Sequence, residues 1–204
     1  MEPDAVEIRV LGCLIEKQRA TPDAYPLSLN ALRLACNQST NREPVVEYDE
    51  ETIRKALGEL GRRRWIRSAG GHTSRAQKYR HLLKDELGLS DDQMSVLGVL
   101  MLRGPQTPGE LKQRADRVHH FESIAELQGT LAALIERKLV KRLPRRPGQK
   151  EERYEQRLGR GSDDDQEEPR EPTRSTTDER LERLEGELTE LRSEVAALRM
   201  SLGK

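Results

Sequence analysis

Two clusters of cations stand out, because arginine and lysine grouped this densely do one kind of chemistry well: they neutralise phosphate. The first comprises Arg62, Arg63, Arg64 and Arg67 with Arg75, Lys78 and Arg80, and the second Lys138, Lys141, Arg142, Arg145, Arg146, Lys150 and Arg153. Each phosphate neutralised releases condensed counterions, the sequence-independent part of nucleic-acid affinity. The competing reading is a solvated surface on which several of these charges favour the C-terminal ends of their own helices. The Arg145-Arg146-Pro147-Gly148 stretch makes the second cluster the stronger candidate, since proline stiffens an exposed turn.

Base reading divides the two clusters differently. The helix before the first offers Arg54, Lys55, Glu59 and Arg62 on its exposed face, whereas the corresponding helix before the second offers Glu122, Glu126, Gln128 and Glu136. Phosphates would repel those acids. A third feature is the polar run of residues 36–44. Its Asn and Thr side chains suit a rigid turn; the functional alternative is a recognition loop using Asn37, Gln38, Asn41 and Arg42. Cys13 and Cys36 lack paired-ligand spacing, and His119-His120 adds no cluster to them, so neither a metal nor another cofactor is expected. No glycine-rich phosphate loop follows a strand, and no serine elbow or Asp/His/Ser set is present, which argues against an enzyme.

The elements that must carry these residues form two copies of one unit. Val10-Leu11-Gly12 recurs as Val96-Leu97-Gly98, and Thr21-Pro22 as Thr107-Pro108. Leu57, Leu60, Arg64, Trp65 and Ile66 match Leu131, Leu134, Lys138, Leu139 and Val140, and Lys78-Tyr79 matches Arg153-Tyr154. The shared order marks a tandem repeat, its first copy longer around residues 23–47. In the first copy, helices are expected over 4–19, with Val6, Val10, Leu11, Leu14 and Ile15 on one face, over 29–37 behind Ser28, and over 50–63 behind Asp49. Residues 65–68 and 77–80 read as strands. In the second, capping boxes Ser90/Gln93, Thr107/Glu110 and Ser123/Glu126 open three helices, and 140–143 and 153–156 read as strands. Three helices and a hairpin make a winged helix, whose third helix and hairpin commonly meet DNA.

The C-terminal residues carry a different pattern. Leu181, Leu188, Val195 and Leu202 at a, with Leu184, Leu191 and Leu198 at d, form a heptad seam. In a parallel dimer, Arg180 meets Glu185, Glu187 meets Arg192, and Glu194 meets Arg199, all attractive pairs. A parallel homodimer follows, the alternative being a helix folded back on its own chain. Residues 159–177 read as a disordered acidic tether, having little apolar surface to bury. Their Asp163, Asp164, Asp165, Glu167 and Glu168 could also fold over the basic wings and compete with DNA.

Net charge is zero overall, but it is segregated. Residues 161–204 hold 13 acids and 7 bases, leaving the preceding residues at +6, which permits nucleic-acid binding without requiring it. Aromatics are 3 % of the chain, too few for stacking platforms on single strands. No apolar run suits a membrane span or signal-peptide core, so no membrane partner is expected. Cysteine use fits the cytoplasm.

Several long motifs carry a family resemblance. Tyr25-Pro26-Leu27-Ser28-Leu29-Asn30-Ala31-Leu32, then 35–44, Lys78-Tyr79-Arg80-His81, residues 102–111 and Leu143-Pro144-Arg145-Arg146-Pro147-Gly148 closely resemble the YceH family of bacterial proteins, over about residues 4–158. The resemblance implies a tandem winged-helix fold and supplies no reaction, ligand or catalytic residue.

The expected fold is therefore mainly α with small β-hairpin wings: a winged-helix domain over 1–86, a second over 87–158, a disordered linker over 159–177 and a coiled-coil helix over 178–204. The expected function is non-enzymatic binding of double-stranded DNA, regulatory or chromosome-associated, through both basic wings of a homodimer. The alternative is an adaptor whose winged helices dock a partner protein.

Overall fold

The computed structural model describes residues 2–69, 77–145 and 151–159. The tether, the heptad seam Leu181 to Leu202 and the cations Arg75, Arg146 and Lys150 lie outside the described residues.

Among the described residues the chain is mainly helical, with seven α-helices and two small antiparallel sheets. Six of the seven helices begin where a side chain satisfies free backbone donors. Asp4 accepts from the Glu7 N–H at 2.8 Å to open α1 (Ala5–Ala20). Ser28 caps α2 (Leu29–Cys36), and Asp49 caps α3 (Glu50–Arg62). After α4 (Leu83–Leu87), Gly88 at φ 56° turns the chain. Capping boxes open α5 (Asp91–Arg103) and α6 (Pro108–Ala115), and Ser123 caps α7 (Ile124–Glu136). Each cap satisfies donors that a helix leaves unpaired.

The first sheet has the order β1 (Leu27–Ser28), β3 (Lys78–His81), β2 (Ile66–Ala69), and the second pairs β4 (Val140–Leu143) with β5 (Arg153–Gln156). The sequence pattern misses β1 and α4. Two residues are too few to show alternation, and β1 exists only because Leu27 pairs with Tyr79 and Ser28 with Lys78.

The two third helices end alike. After α3, the Arg64 N–H donates to Gly61 O at 3.0 Å and Trp65 N–H to Leu60 O at 3.1 Å. After α7, Lys138 N–H donates to Ile135 O at 2.8 Å and Leu139 N–H to Leu134 O at 2.9 Å. Both are Schellman caps, and each places a cation where glycine is usual, Arg64 at φ 62° and Lys138 at φ 58°. The charge suits the negative end of the helix.

One continuous apolar cluster runs through both copies. Its centre is α1, which packs on α5, α3 and α2. The one-sided helix expected from its spacing is instead buried on every side from Glu7 to Ile15. Its unforeseen cover is α5, from the other copy. The glycines of the repeated Val-Leu-Gly motifs both lie at this crossing. A Cβ on Gly12 would lie 2.9 Å from Leu102 Cγ, and one on Gly98 2.9 Å from Ile15 Cγ2. Glycine at both places lets the helices approach this closely.

Two arginines in this interior are held by hydrogen bonds. Arg42, 4 % exposed, spends all five guanidinium donors, on Ala35 O, Asn41 O, Gln38 Oε1 and both carboxylate oxygens of Glu16. Arg9 donates to Cys36 O and Pro44 O. Cys13 and Cys36 are free thiols with no exposed surface.

Candidate nucleic-acid interface

Pairing register decides which cations of the first cluster act together. Ile66 faces His81, Arg67 faces Arg80, Ser68 faces Tyr79 and Ala69 faces Lys78. Side chains alternate across a sheet, so Arg67, Arg80 and Lys78 share the solvent face, while Ile66 and Tyr79 turn toward α3. Like charges directly opposite destabilise a strand pair. Among the described residues no carboxylate forms an ion pair with Arg67, Lys78 or Arg80. The strand pair thus holds a three-cation ladder that an external anion would stabilise.

The rest of the first cluster is placed elsewhere. Arg54, Lys55 and Arg62 are exposed on the outer face of α3, on the other side of the sheet from the ladder. Glu50 sits 3.7 Å from Arg54, and Glu59 pairs with Arg62. Gly58 and Gly61, with open space above them, line a shallow groove between α3 and the hairpin, closed at its far wall by Ser68 and Gln77. Arg63 turns inward: its Nε lies 3.4 Å from the buried Glu7 carboxylate, and its guanidinium stands 5.9 Å from the centre of the Trp65 ring. Burial, reinforced by Asp4, raises the Glu7 carboxyl above its ordinary range against the opposing pull of Arg63.

The second cluster is compensated in part. Lys141 pairs across the strands with Glu155 at 3.3 Å, and Arg142 reaches Glu152 at 3.3 Å. Arg153 is half-buried and engaged. Arg145 and Lys138 are exposed. The outward residues of α7 include Ile124, Ala125, Gln128, Gly129, Ala132 and Ile135; Ile124 is 42 % and Ile135 37 % exposed. Where α3 shows water mostly charge, α7 shows it isoleucine flanked by the exposed Glu126 and Glu136 expected there.

Residues 36–44 are held internally. The Asn37 amide brackets Tyr48, donating to its carbonyl at 2.8 Å and accepting from its N–H at 2.9 Å. Arg42 is buried with every donor used, so the recognition role considered for it is corrected to a structural one: its guanidinium fastens the loop to α1. Gln38 receives one of its bonds. Asn41, at φ 61°, turns its side-chain oxygen to accept from Arg103. Asn41 and Gln38 do border open space, the cleft between α1, α5 and α6.

The pattern that separates the two hairpins is legible in the sequence once sought. No Asp or Glu occurs between Glu59 and Asp85, whereas Glu151, Glu152 and Glu155 are interleaved with the second cluster.

Fold and surface together define, among the described residues, a mainly helical protein with two small sheets, a cationic ladder on the first hairpin and exposed isoleucine on α7. No helix among the described residues is long and apolar enough to cross a membrane. The chain belongs to the family described as Protein of unknown function, DUF480, whose pattern matches residues 4–149. Its relatives include the UPF0502 protein of Shewanella amazonensis, 49 % identical over 74 % of this chain and 75 % of that protein. The UPF0502 protein of Pelobacter propionicus is 47 % identical over 95 % of this chain and 91 % of its own length. That of Geotalea uraniireducens is 48 % identical over 92 % and 89 %. The YceH resemblance agrees with this membership, and these names carry no enzymatic activity.

Proposed function

We propose that the chain is a non-enzymatic DNA-binding protein, regulatory or chromosome-associated. It consists of two winged-helix domains, over 1–86 and 87–158, paired through a parallel coiled coil over 178–204. The observation that carries this reading is the uncompensated ladder of Arg67, Arg80 and Lys78 on the first wing. Holding like charges opposite one another costs stability, and a phosphate backbone returns it through charge-assisted hydrogen bonds. The outer face of α3 offers a second contact, with Arg54 and Lys55 beside exposed glycine backbone that lets a phosphate strand come close. Two tethered bodies then gain apparent affinity through effective concentration.

A second reading is favoured by one observation. The outer face of α7, with Ile124 and Ile135 in water beside the exposed Glu126 and Glu136, suits a protein surface better than a phosphate backbone. On that reading the second winged helix docks a partner protein and the chain is an adaptor.

The deciding experiment is fluorescence anisotropy of the intact chain with duplex DNA across a salt series. Affinity should fall steeply with salt, and replacing Arg67 and Arg80 together by Ala should flatten the logarithmic slope by about 2 units, near 0.9 per phosphate contact. Salt-insensitive or absent DNA binding would refute the reading and leave the adaptor.

A further inference from the structure

A cleft of about 850 Å³ opens between α1, α5 and α6, with Asn41 at its edge. Ligand pockets fall in this size range. Its floor is apolar, made by Ile15, Val99, Leu102 and Val118. Its walls are cationic: Lys17, Arg19, Arg103, Arg114 and Arg117 line it against a single acid, Glu16.

Most of these charges are answered. Glu16 serves Arg42 at 2.6 Å and Lys17 at 3.8 Å. Arg19 pairs with Asp91, and Arg114 lies 3.4 Å from Glu110. Two arginines are left over. Arg103 donates to Asn41, a neutral amide. Arg117, in the turn after α6, forms no ion pair among the described residues. Burial, then the positive charges of Arg114, Arg42 and Arg117, hold the Arg103 guanidinium below its ordinary range. A half-buried cation ringed by cations is costly to maintain, and a bound anion removes that cost. Guanidinium groups match the oxygens of a phosphate in bidentate fashion.

We infer that this cleft is a binding site for a small organic phosphate, its phosphoryl group held between Arg103 and Arg117 and its apolar or planar body laid on Ile15, Val99, Leu102 and Val118. Asn41 is a positioning residue: its side-chain oxygen holds the Arg103 guanidinium in place. Thr40 and Gln113 on the rim supply further hydrogen bonds to the body of the ligand. The cleft lies at the junction of the two copies, so an occupant touches both at once. This site stands independently of DNA binding.

The test is calorimetric titration of the intact chain at low salt with adenosine 5′-monophosphate, with inorganic phosphate, and with adenosine as the uncharged control. The monophosphate should bind saturably, phosphate more weakly, and adenosine not at all. Arg117→Gln, a change at an exposed turn that leaves the core untouched, should weaken the monophosphate about tenfold, the loss of one charge-assisted contact. Arg103→Gln should weaken it at least as much, while the Arg67→Ala/Arg80→Ala double variant should bind it normally. Absence of saturable binding by both phosphates, or equal binding by Arg117→Gln and the unaltered chain, would overturn the inference. Loss of duplex DNA binding in Arg117→Gln, with both small phosphates inert, would also overturn it and make the cleft part of a nucleic-acid track.

Discussion

The two hairpins are built alike, yet among the described residues the second pairs two of its cations with glutamates and the first pairs none of its three. In the second, Lys141 and Arg142 each meet a glutamate at 3.3 Å. In the first, Arg67 stands opposite Arg80 with no acid in the intervening sequence. Counting positive residues does not separate the hairpins, since each cluster holds seven; the charge left over after the local acids are subtracted does. The third helices diverge in the same sense, α3 presenting charge and α7 presenting isoleucine. The two halves share a local framework and differ in their outward faces.

The largest expected difference between the halves is a pH effect. His81 occupies the position on β3 that Gln156 occupies on β5. It is 6 % exposed, bonded through Nε2 to Gln18 Oε1 at 2.6 Å, and burial pushes its pKa down to about 4. The unfolded chain takes up this proton near pH 6.5 while the folded chain refuses it until about pH 4. The stability of the folded state is therefore whole above pH 6.5 and drains away as pH falls through that window, by up to about 3 kcal/mol. Urea unfolding at pH 7 and pH 4.5 should show the loss, and His81→Gln, which borrows the residue of the second copy, should shrink it. An unchanged pH dependence in that variant would show that other groups carry it.

Next in size is the helix crossing. Gly12→Val and Gly98→Val should each cost about 2 kcal/mol through overpacking, and by similar amounts, because each added side chain meets the opposite helix at nearly the same distance. Thermal melts will check this; one silent variant would mean that the crossing is tight on one side only. The contrast in charge can be sharpened directly. Arg67→Ala with Arg80→Ala should weaken duplex binding about tenfold at low salt, and Lys141→Ala with Arg142→Ala should change it much less. Equal losses would erase the distinction between the hairpins. The smallest effect concerns the two cationic caps. Arg64→Gly and Lys138→Gly should each raise stability by up to about 1 kcal/mol by removing left-handed strain, measured as a shift in denaturation midpoint.

Local signals were readable and distant ones were not. Ser28, Asp49, Ser90, Thr107 and Ser123 declare helix starts because a cap acts within three residues, and the structure opens a helix after each. The strands 140–143 and 153–156 were legible from their flanking turn. The burial of α1 on all sides was not, because its cover comes from the other copy. Nor was the fate of Arg42, whose partner Glu16 is 26 residues away on α1. The cleft arginines are hidden in the sequence for a similar reason: Arg103 ends α5 and Arg117 follows α6, and nothing in their spacing announces that they line one cleft.

The matching Val-Leu-Gly segments, whose glycines both lie at the α1–α5 crossing, have a historical corollary. A lone copy of the unit would leave that seam bare, and the simplest remedy for a lone copy is to meet its own twin. Fusing such a couple end to end would place both faces of an ancestral association inside one polypeptide, where each is free to drift in surface chemistry while neither can abandon the other.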